Sequence, residues 1–270
     1  MKTTLELSAK HLTSCLLCEH RCGVNRLAGE RGPCKAGPQA RVFRHRVEYG
    51  EELELIPSHL FYLSGCDLRC AFCIAEDKAF NPAIGTILTT AFLADAIRFG
   101  RSEGAKNIQW VGGEPTIHIP AILEAMSGCD DLPPVVWKSD FHSSLEAFAL
   151  LKDVVDIYVA DFKFGNDFCA KRIASVPRYV ETVSRNLKVA ARQGDLIVRH
   201  LLLPGHFECC YRRVVQWMAA EMPDAKFSLR DGYLPRWQAH RHAELAIPND
   251  SHSIEQAFDL AQQYKLNVIR

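Results

Sequence analysis

The sequence predicts an α/β protein organised on a parallel β-sheet, preceded by a small cysteine-rich segment. Two observations carry the fold class. From about residue 58 onward, strand-like and helix-like segments alternate through six units, and strands separated by helices join in parallel, with each crossover helix lying on the sheet. The strand-like segments are short and almost wholly apolar, as in Val154-Val155-Asp156-Ile157-Tyr158-Val159, the pattern of strands covered on both faces. Six units form a barrel fragment or an open doubly wound sheet, and the pattern fits both. In either, chemistry belongs at the C-terminal ends of the strands.

Taken in order, residues 1–50 hold Gly23, Gly29, Gly32, Pro33, Gly37 and Pro38, which suit tight turns more than long elements. So short a segment builds little core and needs a staple. Residues 1–50 are therefore expected to form a loop-rich module, and residues 51–270 the main domain. The first strand is expected at 59–63. A helix follows at 89–103, where Phe92, Ala96, Ile97 and Phe99 have helical spacing and Thr90 is the candidate N-cap. Later strands are expected at 107–111, 134–137, 155–160, 196–203 and 226–229, and their helices at 119–126, 143–151, 178–192, 211–221 and 254–264. Residues 266–269 suit a further strand. No internal repeat or low-complexity tract interrupts the series.

The 270 residues are 48% hydrophobic and 24% charged, enough for a full core and unlike a disordered chain. Apolar runs such as 196–198 and 201–203 are broken by charge, so no membrane helix is expected. The first ten residues lack the apolar core of a signal peptide. Thirty-two basic residues balance 32 acidic ones, which gives no global reason to expect nucleic acid. The balance is uneven: residues 1–50 carry nine Lys/Arg against four Asp/Glu, and residues 51–270 carry 23 against 28. Eleven cysteines without an export signal indicate a cytoplasmic chain, where regularly spaced thiols hold metal or do redox chemistry rather than form disulfides.

Two groups of cysteines are tightly spaced. Cys66-x3-Cys70-x2-Cys73 directly follows the first expected strand, so three thiolates can converge on one small centre from a single loop. A [4Fe–4S] cluster normally takes four thiolates, and with three, one iron keeps an open position. Zinc would want a fourth nearby Cys or His; His59 is the nearest His in sequence. One βα unit later, Gly112-Gly113-Glu114-Pro115 ends the second strand, where glycines permit close backbone approach and the proline stiffens the exit. The other group, Cys15-x2-Cys18-x3-Cys22-x11-Cys34, supplies four candidate ligands, which suits a closed zinc site or an auxiliary Fe–S cluster, with free or redox thiols as a third reading.

These motifs resemble the radical S-adenosylmethionine (SAM) superfamily: the Cys66/Cys70/Cys73 loop with Phe72 before its last cysteine, and Gly112-Gly113-Glu114-Pro115 as the SAM-binding motif of the second strand. More closely, the chain is similar to uncharacterised Fe–S proteins related to pyruvate formate-lyase activating enzyme. The matching segments are Cys22-Gly23-Val24-Asn25-Arg26 with Gly29-Glu30-Arg31-Gly32-x-Cys34, then Asp161 to Asp167, then Arg199 to His206. The resemblance implies a partial (β/α)6 TIM-type barrel and an enzyme that reductively cleaves SAM. Cys66, Cys70 and Cys73 would hold the cluster, and one iron would chelate the amino and carboxylate groups of SAM. The resulting 5′-deoxyadenosyl radical would abstract a hydrogen atom.

The same resemblance implies that Lys163 meets the SAM carboxylate, with Asp161 as its orienting partner or a cation ligand. Arg199 and His200 are adjacent in a strand, so only one can face the interior; Arg199 is favoured, since it can pair a carboxylate bidentately. Ser139 stands where relatives carry small polar residues near SAM or substrate, whereas Lys138 and Asp140 depart from the Asn-rich pattern there. Tyr233 is read as packing or as a cover over the site, and Cys169, Cys209 and Cys210 as small buried hydrophobes or as the source of a hydrogen-atom-donating thiol. Expected partners are a reductant of flavodoxin or ferredoxin type and a protein or peptide substrate, as for glycyl-radical activators. The alternatives are a small molecule or ribosomal peptide as substrate, and, as a third reading, a metal-stapled binding protein without catalysis.

Overall fold

The computed structural model describes residues 2–50 and 52–269. Its elements run α1 (Lys2–Thr13), β1 (Arg41–Glu48), β2 (Ser58–Leu63), α2 (Asp77–Phe80), β3 (Thr86–Ile87), α3 (Thr90–Ser102), β4 (Asn107–Gly112), α4 (Ile119–Ser127), β5 (Val135–Ser139), α5 (Leu145–Leu151), β6 (Ile157–Asp161), α6 (Asp167–Ala174), α7 (Tyr179–Ala190), β7 (Asp195–Leu201), α8 (Arg212–Glu221), β8 (Lys226–Arg230), α9 (Ser251–Gln263) and β9 (Asn267–Ile269). One sheet takes them in the order β3-β1-β2-β4-β5-β6-β7-β8-β9. From β2 through β9 every neighbour is parallel. The six strands β2 and β4 to β8, in chain order with helices between them, make the partial (β/α)6 barrel, and β9 extends it.

The N-terminal 50 residues hold more regular structure than their composition suggests. They contain the helix α1, which packs on α4 and α5, and the strand β1, which joins the main sheet antiparallel to both β2 and β3. Arg41, Arg44, Arg46 and Glu48 make β1 read as polar loop, yet charged side chains are what a strand near a sheet edge tolerates. The helix α6 was also not expected; Asn166 caps it by accepting from the Cys169 amide at 2.8 Å. The cap of α3 is Thr89, one residue before the expected Thr90: its Oγ1 accepts from the Phe92 amide at 3.1 Å.

The two faces of the sheet differ. Phe61, Trp110, Trp137, Tyr158 and Phe227 belong to the main core shared with the helices. On the other face Val136, Val159 and Ile197 form a small cluster with Leu55. Two residues further along that face, toward the C-terminal strand ends, stand Lys138, Asp161 and Arg199. Glu52, fully buried, meets this group from the β1–β2 connection: Lys138 Nζ lies 3.2 Å away, Ser228 Oγ 3.4 Å and Arg199 Nη1 3.8 Å. No helix among the described residues is long and apolar enough to cross a membrane.

Candidate active site

The cysteine loop begins where β2 ends, and the Gly-Gly-Glu-Pro loop locks onto it. Gly113 N donates to Leu63 O at 2.7 Å and Glu114 N to Gly65 O at 2.9 Å. A Cβ on Gly113 would collide with the Gly65 carbonyl, and one on Gly112, whose φ is 120°, with the backbone of Leu63. The close approach these glycines permit is therefore to the cysteine loop itself. Cys66 and Cys70 are buried and Cys73 half-buried. The amides of Arg69 and Ala71 donate to Ala174 O and Ile173 O, both at 2.9 Å, so the end of α6 fixes the loop's far side. Phe72 stands edge-on to Phe164 and Tyr233. Tyr233 is packing: it is buried and its hydroxyl donates to Leu245 O at 2.6 Å. His59 lies apart from the cysteine loop's contacts, hydrogen-bonded to His45 at 3.0 Å.

Buried carboxylates surround the first thiol. Glu114 accepts from the Thr116 amide at 3.0 Å, Ser139 Oγ at 2.8 Å and the Asp140 amide at 2.9 Å. It thereby ties the end of β4 to the end of β5. Asp140 Oδ2 lies 3.8 Å from Cys66 Sγ. Burial, then the charge of Asp67, pushes Glu114 up to about 7. Burial and the neighbouring Asp67 and Glu114 push Asp140 well above the carboxylate range. Asp67 behaves oppositely: burial opposes its charge, but His142 Nδ1 at 3.0 Å overcomes this and holds it below its usual value. Asp67 and His142 are functional candidates the sequence reading missed; Asp67 stood in plain view between Cys66 and Cys70, but its partner is 75 residues away.

Charge of the other sign comes from the ends of β6 and β7. Lys163 is ion-paired to Asp161, and Arg199 Nε donates to Asp161 Oδ1 at 2.6 Å. Burial disfavours the Asp161 charge, but Arg199 and Lys163 outweigh it and hold the carboxyl below its normal range. Burial likewise opposes the Lys163 ammonium, and Asp161 and Cys70 reverse the sign, so its pKa rises. His200 faces away from this group, with Nδ1 2.6 Å from Phe162 O and its ring against Tyr211.

The residues fit a thiolate-bound cluster and a zwitterionic ligand. Burial raises the pKa of Cys66, Cys70 and Cys73 alike, so these thiols ionise when a metal cation takes the place of the proton. One buried Asp67 oxygen, Oδ1, has no partner, a group suited to accept from an ammonium or a water. Lys163 offers a fixed positive charge to a carboxylate.

The N-terminal cysteines lie against this site. His20 Nε2 is 2.9 Å from Asp67 O, Cys18 bridges to Ser143, and Arg69 hydrogen-bonds to Pro33 O. Cys15, Cys18 and Cys34 are buried and Cys22 half-buried. The buried Arg26 donates to Ile117 O at 2.6 Å and to Cys15 Sγ at 3.0 Å, with Cys34 Sγ at 4.0 Å. A Cβ on Gly32 would fall 2.6 Å from Cys22 Sγ, so the glycine-rich turn folds directly over that sulfur. Burial raises the thiol pKa of Cys18 and Cys34, with Arg26 pulling Cys34 back down.

Comparison with known proteins adds the following. The profile of the radical SAM superfamily matches residues 60–218. The uncharacterised protein MJ0674 of Methanocaldococcus jannaschii is 34% identical over 271 residues, which take in 98% of this chain and 79% of that protein. Among solved structures, Streptococcus suis SuiB bound to the precursor peptide SuiA superposes with a TM-score of 0.54 at 16% identity, over 75% of this chain and 46% of SuiB. SuiB bound to S-adenosylmethionine gives 0.54 at 15% identity, over 75% and 47%. The chain spans about half the length of SuiB, and this likeness is one of fold.

Proposed function

The chain belongs to the radical SAM superfamily, and on that premise we propose that it takes a hydrogen atom from a protein or peptide substrate. It is a radical SAM enzyme: its cofactors are a [4Fe–4S] cluster and SAM, and it requires an external reductant. When bound, the cluster supplies the electron that breaks the C5′–S bond of SAM, giving methionine and a 5′-deoxyadenosyl radical.

One observation carries our assignment of roles: three thiols on a single loop, two buried and one half-buried, clasped by Gly112-Gly113-Glu114 and facing the charges of Asp161 and Lys163. Cys66, Cys70 and Cys73 hold the cluster. Lys163 receives the SAM carboxylate, and Asp161 and Arg199 hold Lys163 and the nearby charge in place. Glu114 and Ser139 set the backbone at the ends of β4 and β5, and Phe72 packs the cysteine loop so that water is excluded.

A polypeptide substrate is supported by the sheet order, in which, among the described residues, the end strands β3 and β9 are not paired with each other. We read the unclosed sheet as the side an extended chain would approach. It is also supported by SuiB, a protein of similar fold that binds a precursor peptide. We place the enzyme in the cytoplasm with a flavodoxin- or ferredoxin-type reductant. Cys15, Cys18, Cys22 and Cys34 are proposed to hold a second metal, zinc or an auxiliary cluster. A guanidinium as buried as that of Arg26 calls for anionic sulfur beside it, and bound metal keeps sulfur anionic.

The test is anaerobic reconstitution with iron and sulfide, then SAM and dithionite. The wild type is expected to form 5′-deoxyadenosine and the Cys66/Cys70/Cys73→Ala variant none; absence from both sinks the reading. For the substrate, lysate from cells grown on deuterated medium is divided into macromolecular and small-molecule fractions. Deuterium reaching 5′-deoxyadenosine from the macromolecular fraction supports a polypeptide, and transfer from the small-molecule fraction alone refutes it.

A further inference from the structure

A second cluster of metal-ligating side chains lies outside the site just described. Cys169 sits in the first turn of α6. His206, Cys209 and Cys210 lie in the turn that leads from β7 into α8. The Cys169, Cys209 and Cys210 sulfurs and one His206 ring nitrogen all lie within 4.8 Å of one another. We propose that these four residues hold one zinc ion, in a closed structural site that ties the loop after β6 to the start of α8.

The geometry suits a single tetrahedral ion. Two thiolates about 2.3 Å from such an ion stand about 3.8 Å apart, and Cys169 Sγ lies 3.8 Å from Cys209 Sγ. That separation is almost twice a disulfide length of about 2.05 Å. A cubane cluster sits between its thiolates and spreads them wider than this set. His206 Nδ1 faces the sulfurs, at 3.2 Å from Cys209 and 3.8 Å from Cys210. Its other nitrogen, Nε2, lies 3.4 Å from both Glu244 Oε1 and Arg172 Nη2, and Glu244 is ion-paired to Arg172. With its Nε2 proton donated to Glu244, His206 presents Nδ1 to the metal as a ligand.

The surroundings supply what metal-bound thiolates need. Asn166 Nδ2 points at two of the sulfurs, 3.2 Å from Cys169 and 3.4 Å from Cys210, and donates to Cys209 O at 2.6 Å. Gly165 approaches Cys210 so closely that a Cβ there would collide with its carbonyl. Three sulfurs, one oriented imidazole and no open position make the donor set of a structural zinc site. The loop it anchors begins at Asp161 and Lys163 and includes Phe164, the ring against Phe72. The ion would hold one wall of the radical SAM site in place.

Residue-resolved alkylation tests this on the full chain. The reduced, zinc-loaded protein is treated with iodoacetamide before and after chelation, and each cysteine is read by peptide mass mapping. Cys209, the most exposed of the three, is expected to react about tenfold or more slowly when zinc is bound, and Zn²⁺ added alone to the chelated chain should restore protection. Equal rates in both states at Cys169, Cys209 and Cys210, or a disulfide among them, overturns the proposal. In a Cys209→Ser variant, zinc per chain should fall by one equivalent with iron unchanged; unchanged zinc also overturns it. The alkylation map of the wild type decides the matter even if that variant fails to fold, and it reads the N-terminal cysteines separately.

Discussion

The cysteine loop after β2 and the N-terminal cysteine segment touch each other through Asp67 and His20, yet the ionisable groups buried beside their first thiols differ. Around Cys66 stand three buried carboxylates, Asp67, Asp140 and Glu114, of which Asp67 keeps its charge on His142. Between Cys15 and Cys34 stands the buried guanidinium of Arg26. The thiol count differs in the same sense, three against four. A four-thiolate centre is complete and already rich in negative charge, so a neighbouring cation offsets it. A three-thiolate centre leaves a position for a ligand that arrives bearing an ammonium and a sulfonium, and carboxylates nearby favour such a cation. On the proposed assignment, the buried groups nearby separate a closed centre from one that receives a ligand.

The largest test of that contrast exchanges the two losses. Replacing Cys66, Cys70 and Cys73 by Ala should remove cluster iron and lower 5′-deoxyadenosine formation to background. Replacing Cys15, Cys18, Cys22 and Cys34 by Ser should leave the barrel's iron in place and lower stability by about 2–4 kcal/mol. Equal loss of SAM cleavage from both would break the contrast. Iron analysis and product chromatography read the outcome.

Next in size is Gly113→Ala. The new Cβ has no room beside Gly65, so the cysteine loop must shift. We predict a cost of about 3 kcal/mol and a fall in SAM cleavage of about 100-fold, read by thermal melting and product yield. Lys163→Met should be milder: full iron loading, with the KM for SAM raised by about 10- to 100-fold and kcat less affected. An unchanged KM removes Lys163 from the SAM site.

Arg26→Met sharpens the N-terminal half. It leaves the sulfurs without their cation and should weaken metal retention there by about 10- to 100-fold in a chelator competition, with 5′-deoxyadenosine formation nearly unchanged.

The smallest effect is on pH. Burial holds His59, His118 and His200 down to about 4. Between about 6.5 and 4 the unfolded chain therefore binds more protons than the folded one, and acidification through that window favours unfolding. The stabilisation is present above the unfolded value and lost as pH falls, by about 1–3 kcal/mol per histidine. His200→Gln should flatten the dependence of melting temperature on pH across that window; an unchanged slope counts against the assignment.

Much of this was legible along the chain. Alternation marked every barrel strand, because apolar runs of strand length recur between helical segments. The Cys66/Cys70/Cys73 spacing marked the candidate site because its three thiols lie within eight residues. Other parts were not legible. The strand β1 hid behind its charges, being near a sheet edge where one side meets solvent. His206 was not associated with Cys169, because the pair is separated by a whole β-strand and the helix α7. Glu52 gave no local sign of being a buried counterion, since its partners Lys138, Arg199 and Ser228 come from three different strands.

By itself, then, the chain's order of residues determined the α/β alternation, the three-thiol loop and the glycines beside it, since each depends only on near neighbours in sequence. The tertiary structure decided which groups meet. It set Asp67 on His142, placed Arg26 between two thiols, turned Arg199 rather than His200 toward Asp161, and gathered three cysteines and a histidine at the start of α8. Those meetings follow from sheet register and from loops folding over strand ends, and a register joins residues that no spacing along the chain records.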